Sequence, residues 1–289
     1  AMIPLLALAY VPPAPVVRRP FRSSPLAMGT QVITDIDDTI KSSGGVAIPL
    51  GDEAQIYLGG VDTSYARNAF YPGVFQFGLE IARADAPPSG VPEKMAILTA
   101  RAEEFKFALE IKQSSKLCVR FRQAGEGVGT PDWGVGPVLY GSVAEWICQE
   151  RKGLRKYENF KLLRAAAAPG TRWVFCGDNG ASEKDLEAAQ MMISAFPGAL
   201  RAVFLHAVSP TTQPAPLPED TTFDGVPIRF FRTYATAARK AAELGLVDAA
   251  GAQRVYAAVQ ADMALDADNI GRGSANERLL LAELEAAAA

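Results

Sequence analysis

The sequence predicts an α/β fold: a doubly wound parallel sheet covered by helices on both faces, with small cap insertions above one edge. Two observations predict it. Short apolar segments alternate with segments of helical spacing, which is the order a parallel sheet with crossover helices requires. Three of the apolar segments run into a polar residue, Asp35, Thr99 or Asp178, and sheets of this kind bind ligands just outside the carboxyl ends of their strands.

The elements follow in chain order. Gln31 to Thr34 reads as a short buried strand. The segment Pro72 to Ala84 places Val74, Phe77, Leu79 and Ile81 for a helical core face, with Pro72 suited to the first turn. Met95 to Thr99 is a second strand, and Glu103 to Lys112 is a helix by composition. Val138 to Ile147 is broken at Gly141-Ser142, and Tyr157 to Ala168 is a helix stopped by Pro169-Gly170. Trp173 to Cys176 and Ala199 to Leu205 are the third and fourth strands. Beyond a Pro- and Thr-rich linker, Ser209 to Asp220, Ile228 to Phe231 reads as an edge strand. The chain from Thr233 onward is Ala-rich helix, with Ser274 and Glu277 in the form of a capping box. Two insertions interrupt this order. Residues 42–69 mix Gly with polar side chains, and Cys118 to Leu139 holds Gly125-Glu126-Gly127-Val128-Gly129-Thr130. The second lacks the lysine of a phosphate-binding loop, so it reads as a flexible loop or hairpin.

Composition bounds the function. A chain of 289 residues, 49% hydrophobic and 21% charged, suits one large or two modest domains. The formal net charge of -3 argues against wrapping a nucleic acid. Cys118, Cys148 and Cys176 fit neither a disulfide framework nor a zinc spacing, which points to reduced thiols inside a cell. The single histidine, His206, makes a histidine-based metal centre implausible, and a structural role is expected for it. Trp133, Trp146 and Trp173 read as packing residues, with substrate contact open for Trp133 in its Gly-rich setting. No run reaches the roughly 18–20 apolar residues of a membrane span, so no integral membrane segment is expected. From Ala1 to Gln31 there is no acidic residue, and an apolar run precedes Arg18-Arg19-Pro20-Phe21-Arg22-Ser23-Ser24. This pattern suits a plastid-type leader, the alternative being a cytoplasmic chain with an unstructured terminus. The expected divisions are a leader or disordered N-terminus over 1–30, one catalytic-type domain over 31–240 and a C-terminal helical extension over 241–289.

The stretch Asp35-Ile36-Asp37-Asp38-Thr39 crowds three carboxylates at the mouth of the first strand. Like charges so close disfavour one another's ionised form unless a cation or proton relieves them. In an extended segment Asp35 and Asp37 share a face, and Asp178 arrives from another strand. Such oxygen ligands suit magnesium. A single Asp after a strand is more commonly a loop or helix cap, but the whole constellation points to a metal. A calcium loop does not fit, because Ile40 and Val46 stand where glycine and glutamate are needed.

Asp35-Ile36-Asp37-Asp38-Thr39 resembles the D-x-D-x-T signature of haloacid-dehalogenase-like phosphohydrolases. DIDDTIK, RNAFYPGV (Arg67 to Val74) and FCGDNG (Phe175 to Gly180) look like the catalytic domain of actin-patch-type phosphatidate phosphatases, a likeness spanning roughly residues 31–240. The resemblance implies a HAD-like Rossmannoid sheet, a magnesium-dependent phosphatase and a place in lipid metabolism. It implies Asp35 as nucleophile forming an aspartyl-phosphate, and Asp37 as the acid that protonates the leaving oxygen and then the base that activates water. Thr39 would steady the loop and Thr99 would hydrogen-bond the phosphoryl oxygens. Lys156 would offset charge and is favoured over Lys161 and Lys152. The metal would be held by Asp35, Asp37 and Asp178. Where the family has a second Asp after Gly-Asp, this chain offers Glu183 and, two further on, Asp185, either of which serves the metal through a water.

Other classes remain on the page. A receiver-type phosphoacceptor module also uses Asp, Thr and Lys, but here Thr99 comes before any further strand-end Asp, which is the wrong order. A non-catalytic or weakened metal- and phosphate-binding scaffold is the alternative to the phosphatase, with the altered GDNGASEKD segment in its favour. The substrate class is a phosphorylated small molecule or lipid. Phosphatidate is the member that the resemblance favours, although no basic amphipathic helix or lipid anchor is visible.

Overall fold

A computed structural model of the chain describes residues 29–50, 54–57, 60–86, 90–102, 111–141, 152–180, 184–209 and 215–288. The strands are β1 (Thr30–Thr34), β2 (Ala47–Leu50), β3 (Ala54–Tyr57), β4 (Met95–Ala102), β5 (Val135–Gly141), β6 (Arg172–Asp178), β7 (Leu200–His206), β8 (Thr221–Phe223) and β9 (Val226–Phe231). The helices are α1 (Val74–Ala84), α2 (Lys116–Glu126), α3 (Lys152–Ala166), α4 (Lys184–Ala195), α5 (Tyr234–Glu243), α6 (Ala249–Leu265), α7 (Ala267–Ile270) and α8 (Ala275–Ala288).

Seven strands form one sheet in the order β5-β4-β1-β6-β7-β9-β8. Every neighbouring pair is parallel except β8 with β9. The chain winds from β1 outward through β4 to β5, then crosses to β6 on the other side of β1. That reversal makes a crevice at the carboxyl end of β1, the usual ligand position in such sheets. Strand residues alternate between two apolar layers, as the two-residue repeat of a strand requires. Val32, Ile97, Val174, Cys176, Ala202 and Phe204 face the layer of α1, α2, α5 and α6. Ile33, Ala96, Leu98, Phe175, Val203 and Leu205 face the layer of α3 and α4. The sheet is therefore covered on both sides. β2 and β3 pair separately as a small antiparallel hairpin within the first insertion.

Several expectations change. Cys118 to Leu139 is neither a loop nor a hairpin. It holds most of α2, a tight turn, and the first residues of the parallel strand β5. Leu117, Cys118, Phe121 and Gly125 are the buried face of that helix, and Gly125 is small because a Cβ there would lie 2.5 Å from the Thr130 carbonyl oxygen. Trp133 is fully buried, and its ring N–H donates to the Glu93 carbonyl at 3.0 Å, so it packs and meets no substrate. β9 is not an edge strand, because β8 pairs outside it. The first helix begins at Val74, with Gly73 left-handed at φ 83, so Pro72 precedes it. α3 starts at Lys152, so Lys156 lies inside the helix and not before it. Residues 1–28, the core of the expected 103–112 helix, the Ser142 break, Trp146, Cys148, Glu183 and linker residues 210–214 fall outside the described residues.

The helices beyond residue 240 share the core of α1. Val255 and Val259 of α6 and Leu280 and Leu284 of α8 are buried in the same layer. Glu80 of α1, only 3% exposed, accepts from Arg254 Nε and Nη2 at 2.8 and 2.7 Å. Asp262 of α6 accepts the Gly73 amide at 2.9 Å and pairs with Arg120 of α2. Gly73 also has to be a glycine for contact, since a Cβ would lie 2.4 Å from Val259. Glu283 of α8 accepts both threonine hydroxyls of the α5 cap, Thr233 at 2.5 Å and Thr236 at 2.6 Å. At the start of α8, Ser274 Oγ accepts the Glu277 amide at 3.1 Å, while the Glu277 carboxylate reaches one residue further back, to the Gly273 amide at 2.5 Å. Among the described residues no helix is long and apolar enough to cross a membrane. Leu280→Ala is expected to cost about 2–5 kcal/mol, the usual range for emptying a buried leucine site. Urea unfolding checks it: one cooperative transition should shift as a whole, whereas an independent tail would leave the main transition where it was.

Candidate active site

The site grows from two adjacent strands. β1 and β6 pair in register from Thr30↔Arg172 to Thr34↔Cys176, and the Asp35 amide continues the ladder to the Cys176 carbonyl at 3.0 Å. Asp35 and Asp178 therefore emerge at the same edge by backbone geometry. The third carboxylate comes from a helix. Asp185 lies in the first turn of α4 and is buried, and its Oδ2 accepts the Asp178 amide at 3.2 Å. This approach needs Gly177, because a Cβ there would lie 2.2 Å from Asp185 Oδ2. Oxygens of Asp35, Asp178 and Asp185 all fall within 4.8 Å of one another. Lys156, buried at one-third of the way along α3, donates to Asp35 Oδ2 at 2.8 Å and to Asp185.

The electrostatics follow from this crowding. Burial pushes the Asp35 carboxyl from 3.8 up to about 6, against the pull of Lys156 and with the push of Asp185 and Asp37. Burial first, then the charges of Asp185 and Asp38, raise Asp178 well above the ordinary carboxylate range. Burial alone would lower the Lys156 ammonium, but Asp185, Asp35 and Asp178 hold it above its usual value. When ionised, three carboxylates against one ammonium leave two negative charges in a confined space. A cluster of hard oxygen donors with that residual charge could hold a divalent cation.

The loop after β1 is held from several directions. The Ile36 carbonyl accepts the amides of Ile40 and Lys41 at 2.8 and 3.1 Å. Asp38 sits left-handed at φ 59, and its fully buried carboxylate accepts the amides of Ser43, Val61 and Asp62 at 2.8, 2.6 and 2.9 Å. Burial raises the Asp38 pKa, and the Asp62 and Ser43 amides oppose it. From the other half of the chain, His206 Nδ1 faces the Asp38 carbonyl at 2.7 Å, with Nε2 facing the Arg232 carbonyl at 3.0 Å. Tyr234 donates its hydroxyl to the Thr39 carbonyl at 2.7 Å. Thr39 Oγ1 is buried with no hydrogen-bond partner among the described residues, and the residue is tied to its surroundings through its backbone.

Of the residues singled out in the sequence, the fold brings Asp35, Asp178 and Lys156 together. Asp185, one of two open acids, joins them; Glu183 lies outside the described residues. Asp37 is not one of the three clustered carboxylates. Its side chain is 19% exposed, with Lys41 at 4.0 Å. Thr99 is buried on β4, two residues beyond the Ile97 partner of Thr34, so it reaches the same edge. Lys161 points outward and pairs with Glu158 at 2.7 Å. The loop roles of Asp38 and Tyr234 carried no sequence signal, since neither a non-glycine left-handed residue nor a contact across 195 residues leaves a local pattern. Comparison of the chain with protein-family models, with curated proteins and with solved structures gives no match.

A carboxyl whose folded pKa exceeds its unfolded value adds stability at low pH, and that contribution is lost as pH rises through the folded value. Asp35 and Asp178 both behave this way. In chelator, Asp178→Asn is expected to raise the thermal midpoint at pH 7.5, by roughly 2–4 °C for each kcal/mol of repulsion relieved. It should also flatten the gain in stability that the parent chain shows between pH 7.5 and 5.5. An unchanged or lower midpoint in the variant would contradict this charge balance.

Proposed function

We propose that the chain is a metal-dependent phosphomonoesterase of the haloacid-dehalogenase-like type, with Asp35 as the nucleophile. One observation carries the reading: Asp35, Asp178 and Asp185 converge at the strand ends with Lys156 bonded to the first and last of them. Asp35, Asp178 and Asp185 would hold magnesium, directly or through water, which when bound supplies neutralisation of the carboxylates and of the phosphoryl charge.

The residues divide the reaction between them. An Asp35 carboxylate oxygen attacks phosphorus; the bond to the ester oxygen breaks, and Asp37 gives that oxygen its proton. An aspartyl-phosphate remains on Asp35. Asp37, now ionised, takes a proton from water, the hydroxide attacks phosphorus, and the phosphorus–Asp35 bond breaks to release inorganic phosphate. Thr99 donates to a phosphoryl oxygen. Lys156 keeps Asp35 ionised and oriented while charge develops. The loop brace at Asp38 and Thr39 holds Asp37 at a fixed offset from Asp35. Phosphatidate is the proposed lipid substrate within a phosphomonoester class.

Asp35→Asn is expected to lower kcat by roughly 10³-fold or more, as loss of a nucleophile does. Asp37→Asn should lower it by roughly 10²–10⁴-fold. Hydrolysis of p-nitrophenyl phosphate and of phosphatidate in mixed micelles, with and without magnesium, measures both. Acid-quenched protein should carry a phosphoryl label on the peptide containing Asp35. Binding of metal and phosphate with no turnover of either substrate would place the chain among non-catalytic phosphate-binding scaffolds instead.

A further inference from the structure

One charged group near the carboxylates has no part in the proposed chemistry. Lys152 opens α3, one helical turn before Lys156, so the two side chains leave the same face. α3 links the parallel strands β5 and β6 and therefore runs back over the sheet from its carboxyl edge. Helical side chains also lean toward the N-terminus, which sets Lys152 above Lys156 and nearer the mouth. The first turn of α3 is pressed against the first turn of α4: a Cβ on Gly153 would lie 2.9 Å from the Lys184 carbonyl and 3.0 Å from Glu187 Oε2. The backbone under Lys152 is thus fixed beside the turn that carries Asp185.

Lys152 is half-buried and makes no ion pair or hydrogen bond among the described residues. Burial, then the Lys156 charge, lower its pKa, while Asp35, Asp178 and Asp185 act on it through space in the opposite direction. Lys156 already bonds Asp35 and Asp185, so the carboxylates have a nearer cation. A half-buried ammonium with no partner costs free energy, and an anion brought by a ligand offsets that cost. The charge balance asks for one. A divalent ion and Lys156 together match three carboxylates, but an entering phosphoryl dianion adds two more negative charges.

We infer that Lys152 is a substrate-binding residue that grips a peripheral oxygen of the phosphoryl dianion at the mouth of the site, favouring monoesters over singly charged diesters. This deepens the proposed function and rests on it for where the phosphoryl group sits, but not for its hydrolysis.

Calorimetric titration of the full chain with inorganic phosphate at pH 8, in millimolar magnesium, tests it. Lys152→Gln should weaken phosphate binding roughly 10- to 100-fold, the span of a lost charged hydrogen bond. Lys152→Arg should stay within about threefold of the parent, and Lys161→Gln, an exposed control, should not differ. The glutamine variant breaks no hydrogen bond or ion pair among the described residues, so it should unfold in the same single cooperative transition as the parent. For p-nitrophenyl phosphate, KM should rise with the phosphate Kd while kcat changes several-fold less. Equal phosphate affinity in the parent and Lys152→Gln, or no phosphate binding by the parent, overturns the inference. Lys152-dependent binding without turnover would uphold it and reject the phosphatase reading. Turnover with binding indifferent to Lys152 would do the reverse.

Discussion

Everything at the strand edge depends on holding three carboxylates around one ammonium. Coulomb repulsion between such groups grows as water is removed, and the site removes much of it: Asp35, Asp185 and Lys156 are each below a tenth exposed. Burial is the main reason that Asp35 and Asp178 both resist ionisation, and Lys156 offsets only part of the repulsion that the neighbouring carboxylates add. No local preference of the chain would assemble such a cluster. The sheet does it, because the β1–β6 ladder fixes Asp35 and Asp178 side by side. The missing side chain of Gly177 then lets α4 bring Asp185 against the Asp178 amide. The apolar layers on either face supply the stability against which this repulsion is set.

The same dependence reaches the distal helices. The turn that follows Asp35 is not self-sufficient, since its Asp38 is left-handed and carries a buried carboxylate. Three backbone amides from the first insertion satisfy that carboxylate, and His206 and Tyr234 hold the carbonyls of Asp38 and Thr39. The ring of His206, at the end of β7, lies between the Asp38 carbonyl of the loop and the Arg232 carbonyl just after β9, and a neutral imidazole donates to one of the two. Tyr234 belongs to α5, which α8 caps through Glu283. Position at the site is therefore set by contacts that close only when the C-terminal helices are packed.

How much of this was legible follows from where the information lies. Strand ends were readable because apolar runs stop at a polar residue, and the alternation of elements led to the parallel sheet. Asp35, Asp178 and Thr99 were found this way. α2 was not, because Gly125, Gly127 and Gly129 mask a helix whose buried face carries only three apolar side chains, Leu117, Cys118 and Phe121. The rank of β9 in the sheet depends on β8, a strand of three residues with no apolar pattern to announce it. Asp185 was one of two acids, and only the phase of α4 turns it inward. The pairing of Lys156 with both Asp35 and Asp185 is a tertiary fact, set by how α3 lies on α4 and not by any spacing in the chain.

Asp35 and Asp37 show how two identical side chains, two residues apart, are made unlike. Asp35 continues the strand, stays 7% exposed and is bonded to a buried ammonium. Asp37 lies past the point where the backbone turns, with its side chain 19% exposed and a partly open lysine at 4.0 Å. A group that forms a bond to phosphorus gains from a fixed setting, in which a bonded ammonium favours its ionised form against the cost of burial. A group that must give a proton to a departing oxygen and then recover one from water gains from access to both. The turn at residues 36–41 separates the two environments without separating the residues, and the brace on Asp38 and Thr39 keeps that turn from relaxing. For the proposed reaction, that single bend in the backbone assigns the roles.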